Sequence, residues 1–204
     1  MPFSSETKSK LRNTLADYEG YIKHLYLDTK GKVTVGVGHM IPNKNAMSGV
    51  TMYKVQNDKL SQPASLQEKM DEYEKISQMS FGVNLSDRFF KKNTSLTMKD
   101  IDVDFLTNQH IDKFYSELKS IYTRDKGYPD NFDDLHKNVQ LALFDMAFNM
   151  GTPTLKNNFP KFNTALKASN YKTAAKESHR KDIAEERNDY VKDLLLDLIT
   201  EVEL

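Results

Sequence analysis

The chain contains no cysteine and no tryptophan. Without thiols, disulfides, thiolate nucleophiles and cysteine-held metals are excluded, and the fold must close without covalent staples. The redox compartment stays open. Net charge is missing too, because 29 Lys and Arg balance 29 Asp and Glu. A protein that grips nucleic acid or an anionic surface through bulk positive charge is therefore not expected. No apolar run approaches the roughly 20 residues of a membrane-spanning helix. The opening Met-Pro-Phe-Ser-Ser-Glu-Thr-Lys carries no apolar signal core, so work outside the cytoplasm would require another delivery route. What remains is globular: 204 residues, 38% hydrophobic and 28% charged, with 11 Phe and 10 Tyr. That suffices for a buried core.

The first stretch, Ser5 to Tyr18, reads as a helix with Leu11, Leu15 and Tyr18 on one face, stopped near Gly20. From Tyr26 to His39 the chain is β-branched and punctuated by Gly, which predicts two short strands around a turn at Thr29 to Gly31. Gly36 and Gly38 are read as lying on one side of a strand, where a backbone or ligand can approach. Gln67 to Ile76 has a helical pattern, and residues 81 to 95 read as a long loop. Thr97 is expected to cap a helix from Met98 to Tyr122. A second long helix is expected from Asp130 or Asn131 to about Met150, ended by Gly151 and carrying an apolar stripe through Leu135, Val139, Leu143 and Met146. Shorter helices are expected near 160–169 and 171–179, and a last amphipathic helix from Ile183 to Val202. Residues 181 to 204 carry three basic and eight acidic residues, which reads as a solvated face.

Five histidines (His24, His39, His110, His136 and His179) are scattered without metal-ligand spacing, and no phosphate loop or nucleophile elbow is present. No metal and no cofactor are expected. The informative segment is Glu19 to His39. Glu19 closes the first helix and Asp28 follows nine residues later, after the chain reverses. Two carboxylates in different environments suit glycoside hydrolysis: one donates a proton to the leaving oxygen, the other activates water. The hydroxyl of Thr34 is placed to hold that water. Spacing by itself leaves a surface pair as the simpler reading.

Glu19-Gly20, Asp28, and Thr34-Val35-Gly36-Val37-Gly38-His39 resemble the N-terminal signature of the phage-type lysozymes, glycoside hydrolase family 24. The family pattern is Glu-Gly, an Asp nine residues on, a Thr six further, and Thr-(Ile/Val)-Gly-(Ile/Val)-Gly-His, matched here at each position. Downstream, Asp145-Met146-Ala147-Phe148-Asn149-Met150-Gly151 resembles that family's central buried helix, and Arg187 falls where the family has an Arg near its final helix.

The resemblance implies an α+β, mostly α, lysozyme-like two-lobe fold. A small N-terminal β-hairpin lobe precedes a helical C-terminal lobe, in a single domain over 1–204. Its parts are 1–95 (first helix, β-lobe and insertion), 96–123 (interlobe helix) and 124–204 (helical lobe). It implies an N-acetylmuramidase acting on bacterial peptidoglycan, with Glu19 as general acid, Asp28 as base or electrostatic stabiliser, and Thr34 orienting the water. Met40, Phe148 and Asn149 match substrate-contacting positions. His39 and Arg187 match supporting ones, Arg187 pairing with Glu19. The carboxylate that would pair with His39 is replaced by His110, which departs from the pattern. A monomer is expected, made in the cytoplasm and acting on the wall after release as an endolysin or delivery as an antibacterial effector. An effector would travel with an immunity protein that plugs the cleft. A non-catalytic glycan- or protein-binding module on the same scaffold is the alternative. The stretch 41–95 exceeds the family minimum, and capping the cleft, binding a peptide stem and contacting a partner stay open for it.

Overall fold

A computed structural model describes residues 5–56, 59–181 and 183–200. The architecture is α+β and mostly helical. Contacts group the chain into two units. One is Arg12–Gln109; the other joins the N-terminal residues up to Leu11 with His110 and beyond.

The chain opens with α1 (Ser5–Glu19), in which Leu11 and Leu15 are buried as their spacing predicts. Gly20, at φ +82°, ends it, its backbone amide donating a hydrogen bond to the Ala16 carbonyl. In the Arg12–Gln109 unit, β1 (Ile22–Leu27), β2 (Val33–Gly36) and β3 (His39–Met40) form an antiparallel sheet in that order. Its period of two sorts the side chains: Leu25, Leu27, Val33 and Val35 are buried on one face, and Tyr26 and Thr34 pair across the other. Gly36 and Gly38 do not share one side of a strand as expected. They sit at the end of β2 and in the turn after it, at φ +66° and +63°. Conformations of that kind suit glycine because it has no Cβ.

The long stretch after β3 is folded. A 3-10 turn at Lys44–Gly49 leads to β4 (Tyr53–Gln56) and β5 (Lys59–Pro63), with β4 central in a second sheet beside β6 (Leu96–Thr97). Helix α2 (Leu66–Ser77) begins with a capping box, Ser65 and Glu68 bonding to each other's backbone. Its inner face buries Lys69, Glu72 and Ile76. The Glu72 carboxylate accepts from the Ser95 amide (2.6 Å) and hydroxyl (2.7 Å) and from the Leu96 amide (3.1 Å), which anchors β6. Lys69 Nζ donates to the Val50 carbonyl at 2.7 Å. The expected loop at 81–95 holds a short helix, α3 (Asp87–Lys91), with Phe90 buried and the Asp87 carbonyl 2.9 Å from His24 Nε2.

Thr97 does not cap a helix. Its backbone pairs with Tyr53 and its hydroxyl donates to the Lys23 carbonyl (3.3 Å), so α4 starts later, at Asp100, and runs to Ile121. The expected start near Asp130 is likewise displaced. A 3-10 turn occupies Phe132–Asp134, and α5 (Lys137–Met150) opens at His136, whose Nδ1 accepts from the Asn138 amide.

In the second unit α5 is buried from Val139 and Leu141 through Ala147. Gly151 ends it at φ +82°, followed by α6 (Thr152–Asn158), which the periodicity missed, then α7 (Pro160–Lys167), α8 (Tyr171–Glu177) and α9 (Glu185–Thr200). The expected continuation of the last helix to Val202 lies outside the described residues. A polar knot ties these helices. Asp145, 3% exposed, accepts from Arg180 Nη1 at 2.7 Å and from Arg187 Nε at 3.1 Å, and Arg187 Nη2 stands 3.0 Å from its Oδ1 as an ion-pair contact. Asn188 closes it, exchanging bonds of 3.0 Å with the Arg180 backbone.

Removing the anion from such a knot leaves buried cations uncompensated, so Asp145→Ala should lower the unfolding free energy by about 3–5 kcal/mol in urea denaturation. A second expectation concerns pH. Burial holds the His24 imidazole below its ordinary 6.5, so on acidification the unfolded chain takes up that proton first. The stability this group supports is present above pH 6.5 and falls as pH drops through it. Urea midpoints should decline on acidification from neutrality, and His24→Gln should flatten the decline.

Candidate functional site

Glu19 is the last residue of α1, and the Gly20 turn sends the chain straight into β1. Asp28 follows β1 and organises the turn to β2. Its Oδ1 accepts from the Lys30 and Lys32 amides, each at 2.8 Å, while its own backbone amide donates to the Lys32 carbonyl at 3.0 Å. Short polar side chains favour this because they substitute for a backbone acceptor within a turn. Among the described residues nothing donates to Asp28 Oδ2. The carboxylate is therefore aimed by one oxygen and open at the other.

Thr34 is buried and lies opposite Tyr26 on β1 and opposite Met40 on β3. Its hydroxyl donates to the Lys32 carbonyl at 3.0 Å, which leaves Oγ1 lone pairs to accept from another donor. Tyr26 feels the charge of both carboxylates. Burial first, then the negative charges of Glu19, Asp28 and Asp87, push its phenol far above the usual range, so it stays neutral. Spacing gave no hint of Tyr26, although its position two residues before Asp28 on one face of a strand was legible. Gly38 approaches Glu19 closely: a Cβ there would stand 3.2 Å from Glu19 Oε2. Met40 is 47% exposed at the end of this row, and His39 sits opposite Val35.

The structure thus places Glu19, Asp28, Thr34, His39 and Met40 in the Arg12–Gln109 unit. Phe148, Asn149 and Arg187 belong to the other unit. Phe148, half-buried near the end of α5, packs its ring against Phe114 (5.6 Å between centroids), Phe144 (6.2 Å) and His110 (6.3 Å). Asn149 is the next residue and also half-buried. His110, read as a departure from the family pattern, is held below its ordinary pKa by burial and by Lys113, which favours the neutral ring. Arg187 holds Asp145 together with Arg180, a second arginine that the sequence reading did not single out. Among the described residues no group of three or more His, Asp or Glu is placed to hold a metal ion, and no helix is long and apolar enough to cross a membrane.

A family described as "Pesticin: Bacterial toxin homologue of phage lysozyme, C-term" matches residues 14–172. The chain belongs to this family. A curated relative, "Probable T4-type lysozyme 2" of Dictyostelium discoideum, is 26% identical over 160 residues, covering 78% of this chain and 74% of the relative. The family match includes Glu19, Asp28, Thr34 and the α5 segment but stops before Arg180 and Arg187. The buried Arg180–Asp145–Arg187 knot is thus completed from outside the matched stretch.

A methyl group at Gly38 would combine left-handed backbone strain with contact on Glu19. Gly38→Ala should cost about 1–2 kcal/mol in denaturant melts. It should also shift the side-chain carboxyl resonance of Glu19. Gly36→Ala carries the same strain, but its Cβ meets only Val103 (3.6 Å) and Leu106 (3.9 Å), so it should leave that resonance in place.

Proposed function

We propose that this protein is a peptidoglycan hydrolase, an N-acetylmuramidase that cleaves the β-1,4 bond between N-acetylmuramic acid and N-acetylglucosamine. Membership of the phage-lysozyme-related family supports the general reaction. The single observation that carries the assignment is Asp28, whose carboxylate is fixed by two amides at one oxygen and has no donor among the described residues at the other, on a turn whose Lys32 carbonyl accepts from both the Asp28 amide and the Thr34 hydroxyl.

In this reading Glu19 delivers its proton to the glycosidic oxygen as the bond to the anomeric carbon breaks. A water donates one hydrogen to Asp28 Oδ2 and the other to Thr34 Oγ1, which turns its lone pair toward that carbon. Asp28 takes the water's proton as the new C–O bond forms. Solvent then takes the proton from Asp28 and returns one to Glu19, which restores both groups. Direct attack by water inverts the anomeric configuration. Met40 contacts the sugars and His39 supports the β-lobe. The family's description as a bacterial toxin homologue supports an antibacterial effector over an endolysin. In this reading the chain is made in the cytoplasm, reaches the wall by delivery, works as a monomer and is held in check by an immunity protein.

Muropeptide release from purified peptidoglycan tests the reaction. Glu19→Gln and Asp28→Asn should each lower the rate by at least about 100-fold, the scale of general acid–base catalysis, with unchanged melting temperature. Full activity in either variant would sink the assignment. Binding to peptidoglycan without release of reducing ends would instead favour the non-catalytic module.

A further inference from the structure

The cations of the Arg12–Gln109 unit are not spread evenly. Lys23, Lys44 and Lys54 pair with Asp100, Glu74 and Glu68, and Arg12 reaches Asp104 at 4.0 Å. Lys69 and Lys75 donate to backbone carbonyls, and Lys99 lies over the Tyr53 ring. The rest, apart from Lys59, fall on two segments: Lys30 and Lys32 in the β1–β2 turn, and Arg88, Lys91 and Lys92 on and just after α3. All of these are exposed, and among the described residues none has a carboxylate at ion-pair distance. Residues 28–32 and 79–95 together carry five basic and two acidic side chains, a net of +3 within a chain whose total is zero. Asp28, one of the two acids, is turned to the backbone amides of its own turn.

The two segments touch. The Phe81 ring lies against the turn so closely that a Cβ on Gly31 would stand 2.7 Å from it. The Asp87 carbonyl is 2.9 Å from His24 Nε2 on β1, and Phe90 is buried, so α3 is fixed to the sheet. Lys91 lies near enough to His24 to disfavour its protonated form. On this anchored loop the remaining apolar side chains face out. Val83 stands in a turn closed by the Leu85 amide on the Gly82 carbonyl (3.0 Å) and is 84% exposed. Phe81 is 54% exposed, and Phe89, edge-on to the buried Phe90 ring at 5.2 Å between centroids, is 39% exposed.

Apolar tips and unpaired cations on one loop fit an interface in which an anionic layer covers an apolar one. A soluble polyanion would meet the cations and leave Val83 in water. A neutral glycan would meet Phe81 and leave the cations without counter-charge. An anionic bilayer meets both: its phosphates take the lysine and arginine heads while Phe81, Val83 and Phe89 enter the boundary between headgroups and acyl chains. We propose that the β1–β2 turn and the 79–95 loop dock this protein on a bilayer rich in anionic phospholipid. The surface stands whether or not the protein is a muramidase. In a muramidase it confines cleavage to glycan close to the membrane, because the turn that carries Asp28 is part of the docked face.

Co-sedimentation of the full chain with lipid vesicles tests this without reference to catalysis. The protein should pellet with phosphatidylglycerol vesicles and stay in solution with phosphatidylcholine vesicles. Arg88→Gln, Lys91→Gln and Lys92→Gln should each weaken binding by about fivefold, the scale of one cation at an anionic bilayer. Val83→Ser, at an open position where folding is not at stake, should also weaken it by about fivefold, because it removes apolar area from the boundary. The chain has no cysteine, so a single Val83→Cys can carry an environment-sensitive fluorophore. Its emission should move to the blue on phosphatidylglycerol vesicles, while the same label at Lys172→Cys on α8 should not move. Equal binding to both lipids, or an unmoved label at Val83→Cys, would overturn the proposal. Full binding by Val83→Ser that soluble polyphosphate competes away would overturn it in favour of a polyanion site.

Discussion

The capture of two backbone amides by the Asp28 carboxylate is the interaction on which the candidate site depends. It sets the length of the turn, and with it the register in which β2 returns along β1. Register decides everything on this hairpin, because a slip by one residue exchanges the two faces. In the register observed, Leu25, Leu27, Val33 and Val35 go to the core, and Tyr26 and Thr34 meet on the other face. One side chain therefore shapes the turn and, through the register, sends the apolar residues inward and the Thr34 hydroxyl to the other face.

The zero net charge conceals charges that work inside the protein. Glu72 and Lys69 on α2 bind backbone groups and fix the inserted stretch to the small sheets. Asp145 gathers two arginines from the far end of the chain. Burying ions is costly unless each is paired or bonded, so such groups act as positional pins more than as sources of stability. With no disulfide anywhere, pins of this kind set where the loops and short helices dock. A chain without surplus positive charge gains no general attraction to an anionic polymer.

Much of the site was legible. Glu19, Asp28 and Thr34, the candidate residues, stand in a spacing whose local structure follows short-range rules: a helix ended by glycine, a turn held by an aspartate, and a strand of period two. Residues that act across long separations were not legible. Thr97 has the composition of a helix cap, yet tertiary pairing with Tyr53 and Lys23 draws it into a strand. Arg180 resembles any solvated cation until Asp145, 35 positions earlier, is found against it. The stretch 41–95 reads as connections because its strands are short and polar, and only their pairing with each other and with β6 identifies them.

By itself the sequence determined the helix-then-hairpin order, the family, and the identity of the candidate carboxylates, because each depends on residues within one or two turns of chain. It also determined that no disulfide holds the protein together. Only the tertiary structure decided that Gly38 leaves room for Glu19, that one oxygen of Asp28 is spent on the turn and the other is open, and that Asp145 meets Arg180 and Arg187. Those facts depend on which distant groups share a small volume, and that is set by burial and hydrogen-bond satisfaction over the whole unit rather than by any local pattern.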